Sequence, residues 1–261
     1  LDLANATGVE KVTVHNSNAA ATVKSVGNAT LAVSNQTVAV NFDGSTATAL
    51  NLEFDTVGIA ATPVTVDLAS ATANKATSYN IKMNNSNITI AETTASAATT
   101  SATVDAKGTN ELAFSTTDVT SLKTLDVKGS GTVEFANTFG TVLETLTVTS
   151  GTVGVIAGID STATTVKTGA GKDIITINTL SLAKITKKAI DLGNGNDKLI
   201  TATGFTVTAA SATINGGAGT DIFSIATDDA IIANLSALAT STLFKEKVTG
   251  FEKLELTGAP D

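Results

Sequence analysis

Three loops of the form Gly-x-Gly-x-Asp, spaced at one constant interval, narrow the folds open to this chain more than any other feature. They read Gly169-Ala170-Gly171-Lys172-Asp173, Gly193-Asn194-Gly195-Asn196-Asp197 and Gly217-Ala218-Gly219-Thr220-Asp221, and their aspartates step by 24 residues each time. Apolar residues follow each loop, and the apolar positions Val166, Ile190 and Ile214 repeat at the same step. Isolated glycine turns, with aspartate as an ordinary turn residue, explain these residue types one at a time. They do not explain the interval. A fixed period of this length is the mark of a solenoid in which each coil stacks on the last.

The residue types suit a hard cation. Calcium takes roughly six to eight oxygen ligands at about 2.3–2.6 Å, drawn from carboxylates and backbone carbonyls. Glycine at φ > 0 turns carbonyls toward an ion without a Cβ penalty. Stacked coils would place one ion between Asp173 and Asp197 and a second between Asp197 and Asp221. Without cations such a column of like charges repels, so binding is expected to order the coils. The expected ligand set is Gly169, Gly171, Asp173, Gly193, Gly195, Asp197, Gly216, Gly217, Gly219 and Asp221.

These segments resemble the calcium-binding nonapeptide repeats of RTX proteins, which are secreted by Gram-negative bacteria. The leading glycine of the full Gly-Gly-x-Gly-x-Asp form is kept at Gly216 and replaced by Thr168 and Leu192 in the other two loops. Any residue offers a carbonyl there, so the change affects the turn more than the ligand count. The family places motifs nine residues apart on both edges of its roll. One motif per coil here implies a single column of few ions.

Composition bounds the alternatives. The chain has 261 residues, no Cys and a net charge of −8, and all 16 basic residues are Lys. Absence of Cys removes disulfides, thiolate metal sites and cysteine catalysis. Scattered lysines on an acidic chain argue against nucleic acid. The one cluster, Lys184-Ile185-Thr186-Lys187-Lys188, reads as a solvated loop or as a moderator of charge beside the ion column. Mean hydropathy is positive. Even so, no run approaches the roughly 18 apolar residues of a membrane helix, so no membrane insertion is expected. Leu1-Asp2-Leu3 carries neither an initiator Met nor a signal-peptide pattern, which reads as a mature product or a piece of something longer.

Period-two alternation dominates elsewhere and predicts strands at Val9–Val14, Ala29–Val33, Thr37–Phe42, Ala49–Phe54, Val64–Leu68, Asn80–Met83, Ile88–Ile90, Leu112–Phe114, Leu122–Val127 and Leu143–Val148. Asp43-Gly44 reads as a tight turn, and the Thr/Ala/Ser-rich stretch 93–103 as a loop or linker. From about residue 119 the turn glycines 129, 151, 169, 193 and 217 follow at 22, 18, 24 and 24 residues, as coils would. The two early loops lack the acid, with Val133 at its place, and are expected to be metal-free. Asp229–Thr240 reads as a helix capping the solenoid or as a long loop. The expected fold is all-β: a right-handed parallel β-helix or β-roll over 119–261, with 1–118 as early coils or a separate β-rich domain.

A second repeat links the ends. Gly8-Val9-Glu10-Lys11-Val12-Thr13-Val14 is similar to Gly250-Phe251-Glu252-Lys253-Leu254-Glu255-Leu256, and the segments from Leu122 and Leu143 share its ending. Such strands recur in RTX-type surface-layer proteins, including those of Campylobacter and Caulobacter; two unrelated amphipathic strands are the plainer reading. The resemblance implies a secreted, structural cell-surface protein. It would leave the cell by type I secretion, self-associate into a calcium-dependent two-dimensional lattice, and be held on lipopolysaccharide by another region of the full protein. An RTX adhesin is the alternative, and a carbohydrate-active β-helix enzyme stands third. No catalytic residues are expected. The single histidine, His15, sits on an alternating strand and reads as solvent-facing, and no Gly-x-Ser-x-Gly elbow or phosphate-binding loop is present.

Overall fold

The computed structural model describes residues 1–58, 62–95, 98–140, 142–159, 165–177, 189–201, 213–226 and 242–257. Strands alternate along the chain between two eleven-stranded sheets, and every pairing within them is parallel. The protein is therefore a β-solenoid: each coil lays one strand on each sheet and turns twice. The strands of residues 11–113 and those of 124–257 belong to the same two sheets. Ser101–Lys107 pairs with Thr124–Gly129, and Thr109–Ala113 with Thr132–Phe139, so the ladders pass through residue 118 without a break.

Alternation explains the strands. Lys11–His15 buries Val12 and Val14 and exposes the residues between, and Ser78–Asn84 buries Tyr79, Ile81 and Met83 in the same way. A side-chain period of two sends every second residue into the space between the sheets. Stacking then builds columns of like residues down the core. One runs Val12, Leu31, Leu52, Ile81, Val104, Val127, Val148, each opposite the next. Each fully buried aliphatic side chain in such a column contributes about 1.5–3 kcal/mol through removal from water.

The stretch 93–103 is not wholly a loop: Ser101–Lys107 is a central strand. Its inward residues are Ala102, Val104 and Ala106, too small to give a strong alternating signal. Packing explains the choice. Ala102 lies in its column between Tyr79 and Leu125, whose bulk fills the volume, and Ala106 has Met83 on one side and Gly129 on the other. The strand Thr132–Phe139 was also not anticipated; it contributes Phe135 and Phe139 to a cluster with Phe114, whose ring centroids lie 5.5–6.2 Å apart.

The similar end segments do not occupy equivalent places. Gly8 and Gly250 both enter their strands at positive φ, +70° and +67°. Lys11–His15 then begins the first sheet, whereas Lys253–Thr257 ends the second. Val12 and Val14 are buried, but Leu254 and Leu256 lie at the open end and are 53% and 46% exposed. The helix expected at Asp229–Thr240 and the cluster Lys184–Lys188 lie outside the described residues. Just beyond the former, a short helix, Thr242–Lys247, sets Phe244 against Phe223 at 5.9 Å.

Candidate functional site

The three Gly-x-Gly-x-Asp loops stack on one edge, where the chain leaves a first-sheet strand and enters the second. Ile174, Lys198 and Ile222 are partners in one ladder, which sets Asp173, Asp197 and Asp221 immediately before them in consecutive coils. All three acids are essentially fully buried. Asn194-Gly195 and Ala218-Gly219 pair as a small third sheet along the same edge. At Gly217, φ is +105° and an added Cβ would lie 1.8 Å from the Gly193 carbonyl oxygen. The loops thus stack too closely for any side chain there.

Each aspartate reaches back one coil. The backbone N–H of Val155 donates to Asp173 Oδ1 at 2.7 Å, that of Asp173 to Asp197 Oδ1 at 2.8 Å, and that of Asp197 to Asp221 Oδ1 at 2.8 Å. The column ends on Glu252, whose Oε2 accepts from the N–H of Asp221 at 2.7 Å. The second oxygen of each aspartate, Oδ2, is buried and makes no well-formed hydrogen bond, although the Thr168 hydroxyl and the Gly169 N–H lie close enough to act on Asp173. Not every expected ligand is free: the Gly169 carbonyl accepts from Asn194 N–H at 2.7 Å and the Gly193 carbonyl from Ala218 N–H at 2.8 Å. The first loop also departs from the positive-φ expectation, since neither Gly169 nor Gly171 adopts it.

The same bond recurs on this edge without charge. Ser17 N–H donates to Gln36 Oε1, Val57 N–H to Ser86 Oγ and Ser86 N–H to Asn110 Oδ1, at 2.8, 3.2 and 3.0 Å. Asn110 faces Val133, which faces Val155, one coil before Asp173. Val133 thus stands in the acid's column, as the spacing implied, and is buried among apolar residues. An amide or a hydroxyl is therefore enough to close a coil onto its predecessor. A carboxylate is the costlier choice, because burying its charge uncompensated is expensive. Burial pushes Asp197 up to about 7, opposed by the Asp173 N–H bond and reinforced by the charges of Asp173 and Asp221. Burial also raises Asp173. Gln36, Ser86, Asn110 and Glu252 escape a motif search because unlike residues do one job at unequal spacings.

Three buried, unpartnered carboxylate oxygens at stacked loops fit the hard-oxygen donor set of a divalent cation. No group of three or more His, Cys, Asp or Glu converges on one point among the described residues. Backbone carbonyls and water would have to complete any shell.

The opposite edge holds a second series of acids that was not expected. Asp43, Asp67, Glu92 and Asp118 follow strands of the second sheet at steps of 24, 25 and 26 residues. Asp43 Oδ1 accepts from Ala71 and Thr72 N–H, and Asp67 Oδ1 from Ala69 and Thr93 N–H. Glu92 and Asp118 meet through shared hydroxyls. This is a convergent carboxylate pair of the kind a glycan-cleaving enzyme needs, but Asp118 is wholly buried and the pair lines none of the surface hollows described.

His15 is exposed, with Nδ1 2.8 Å from Ser34 Oγ. Its column continues to Asp55, which places the acid beyond the serine rather than behind the histidine. That order cannot relay a proton from the serine as a catalytic triad does. A hollow of about 460 Å³ lies on the outer face of the first sheet among Lys11, Glu53, Lys82 and Asp105, with Glu53 bridging Lys11 and Lys82. No helix among the described residues is long and apolar enough to cross a membrane. No family model, curated protein or solved structure matches the chain.

Proposed function

We propose that this chain is a structural segment of a secreted bacterial surface protein whose last coils are set by calcium, and that it serves in a two-dimensional surface lattice. One observation carries the calcium reading. Neutral side chains close the coil at Gln36, Ser86 and Asn110, whereas carboxylates do so at Asp173, Asp197 and Asp221 and leave a buried oxygen unpartnered each time. Charge that the hydrogen bond does not need is explained by a cation that does. Calcium, when bound, would supply the positive charge that lets the three carboxyls stay ionised side by side. The Oδ2 atoms are the ligands this chain brings.

At roughly millimolar levels outside the cell, calcium would order these coils, and low internal calcium would leave them loose for export. A solenoid with continuous parallel ladders then offers rigid faces for lateral contact. Anchoring on lipopolysaccharide would fall to a region outside this segment. Isothermal calorimetry and electron microscopy of the purified chain test the reading together. Calcium should bind with an affinity that Asp197→Asn weakens, and should drive the protein into sheets. Binding without assembly would favour an adhesin stalk, and no binding at millimolar calcium would overturn the metal reading.

A further inference from the structure

Glu92 and Asp118 sit in successive turns of the opposite edge, far in sequence from the aspartate loops, and nothing basic neutralises them. Among the described residues no lysine lies within ion-pair distance of either; the three ion pairs present are Lys11–Glu53, Lys82–Glu53 and Lys198–Glu255. Lys75 and Lys123 flank these turns and are exposed. The neighbouring acid, Asp67, is separately held by Ala69 N–H, Thr93 N–H and the Thr93 hydroxyl.

The hydrogens around the pair can be counted. Tyr79 Oη lies 3.1 Å from Glu92 Oε1 and 3.2 Å from Asp118 Oδ2. Ser115 Oγ lies 3.4 Å from Glu92 Oε2 and 3.0 Å from the same Asp118 Oδ2. Asn74 Nδ2 adds a donor to Glu92 Oε1 at 2.5 Å. Each hydroxyl has one hydrogen, so four oxygen–oxygen contacts share two. With both carboxyls ionised, two of those contacts would set lone pair against lone pair.

One added proton relieves one of these two contacts and leaves only Tyr79 Oη against Asp118 Oδ2, at 3.2 Å, without a hydrogen. Placed on Asp118 Oδ2, it donates to Ser115 Oγ, which frees the Ser115 and Tyr79 hydrogens for the two oxygens of Glu92. The Thr99 hydroxyl and backbone N–H also act on Asp118, but neither makes a well-formed hydrogen bond to its buried Oδ1, which then becomes an ordinary carbonyl oxygen instead of half an anion. We propose that Glu92 and Asp118 hold a single proton between them, and that its loss unlocks the three coils they join. Asn74 belongs to the turn before Tyr79, Glu92 to the turn after Asn87–Ala91, and Ser115 and Asp118 to the start of the helix Thr116–Ser121 after Thr109–Ala113. The shared proton therefore rivets three consecutive turns, and it does so without calcium.

The electrostatics agree in direction. Burial, then the charge of Asp118, raises Glu92, and burial raises Asp118. Burial and the two carboxyls raise Tyr79, so its hydroxyl stays protonated. A carboxyl raised in the fold leaves stability intact at acid pH and removes it as pH climbs from the unfolded value through the folded one.

Two measurements test this on the full chain in saturating calcium. The infrared carbonyl stretch of an un-ionised carboxylic acid should appear at pH 7 and should be lost in the difference between wild type and the Glu92→Gln/Asp118→Asn double variant. Protection of Ser78–Asn84 and Thr116–Ser121 against hydrogen exchange, after division by the intrinsic rate at each pH, should fall as pH rises in wild type and stay level in the double variant. Should the double variant not fold, Glu92→Gln alone keeps the test, since its amide supplies the missing hydrogen. An unchanged carbonyl band, or wild-type exchange whose protection does not vary with pH, would overturn the proposal. So would protection of these segments that depends on calcium and vanishes in the variants, because a cation would then hold the pair.

Discussion

Replacing Asp197 with Asn should stabilise the calcium-free protein and destabilise the calcium-bound one. The asparagine keeps an Oδ1 to accept the Asp173 N–H, as Asn110 does for Ser86. It removes the charge, and its Nδ2 takes the place of Oδ2 beside Asp173 and Asp221, whose charges act on that position. The aspartate is raised in the fold from 3.8 to about 7. Stability linked to it is thus complete below pH 3.8, declines as pH rises through about 7, and is level beyond. Each pKa unit is worth about 1.4 kcal/mol, so at pH 8 without calcium the charge costs about 2–4 kcal/mol, the lower figure allowing for solvent at the loop edge. At about 2–4 °C per kcal/mol for a chain of this size, the variant should melt roughly 4–16 °C higher in chelator at pH 8 and about level with wild type at pH 4. In calcium the order should invert, because wild type gains the linkage of a bound ion and the variant loses a ligand shared by both intervals. Melting followed by circular dichroism at the two pH values, with and without calcium, gives all four quantities. A variant less stable than wild type in chelator at pH 8, or equally stabilised by calcium, would refute the account of a charge kept for a cation.

Other outcomes follow from the same edge. Asn110→Ala should cost about 1–3 kcal/mol by leaving Ser86 N–H buried without an acceptor, and denaturant melts should show the same loss with and without calcium. Gly217→Ala should prevent the last loops from stacking, since the new Cβ falls on the Gly193 carbonyl; loss of calcium-induced ellipticity reports it. Ala102→Leu should cost about 1–3 kcal/mol by overpacking a column already filled by Tyr79 and Leu125, read from thermal melts. Chelator should speed hydrogen exchange in Ile174–Ile177, Lys198–Thr201 and Ile222–Ala226 while leaving Ala49–Val57 and Ser78–Asn84 protected, because coils of a solenoid contact only their neighbours.

The sequence discloses the solenoid where one residue type repeats at one step. Asp173, Asp197 and Asp221 share a motif and an interval, so their stacking could be read from the chain alone. Alternation discloses most strands with bulky inward residues, Thr132–Phe139 excepted, while Ala102, Val104 and Ala106 hide Ser101–Lys107. The rest depends on register. Gln36, Ser86 and Asn110 perform one hydrogen bond with three residue types, and no pattern search joins them. The meeting of Glu92 with Asp118 is decided by how two turns stack, and its one trace is the near-even run of acids at 43, 67, 92 and 118.

The position of the charged column follows from the backbone. Early first-sheet strands are long: Thr30–Gln36 has 7 residues, Ala49–Val57 has 9 and Ser78–Asn84 has 7. Those opposite the aspartate loops shrink to 3 at Thr165–Lys167, 2 at Ile190–Asp191 and 2 at Ile214–Asn215. Fewer paired residues mean fewer ladder bonds and shorter core columns between coils. A neutral side-chain bond is enough where five to seven paired residues of the first sheet already hold each coil to the next. Where two do, a cation held between the stacked carboxylates, as proposed above, would add a tie that can also be withdrawn. The acids therefore sit where the first sheet does least to hold coil to coil, which is where calcium, under the function proposed above, would have most effect.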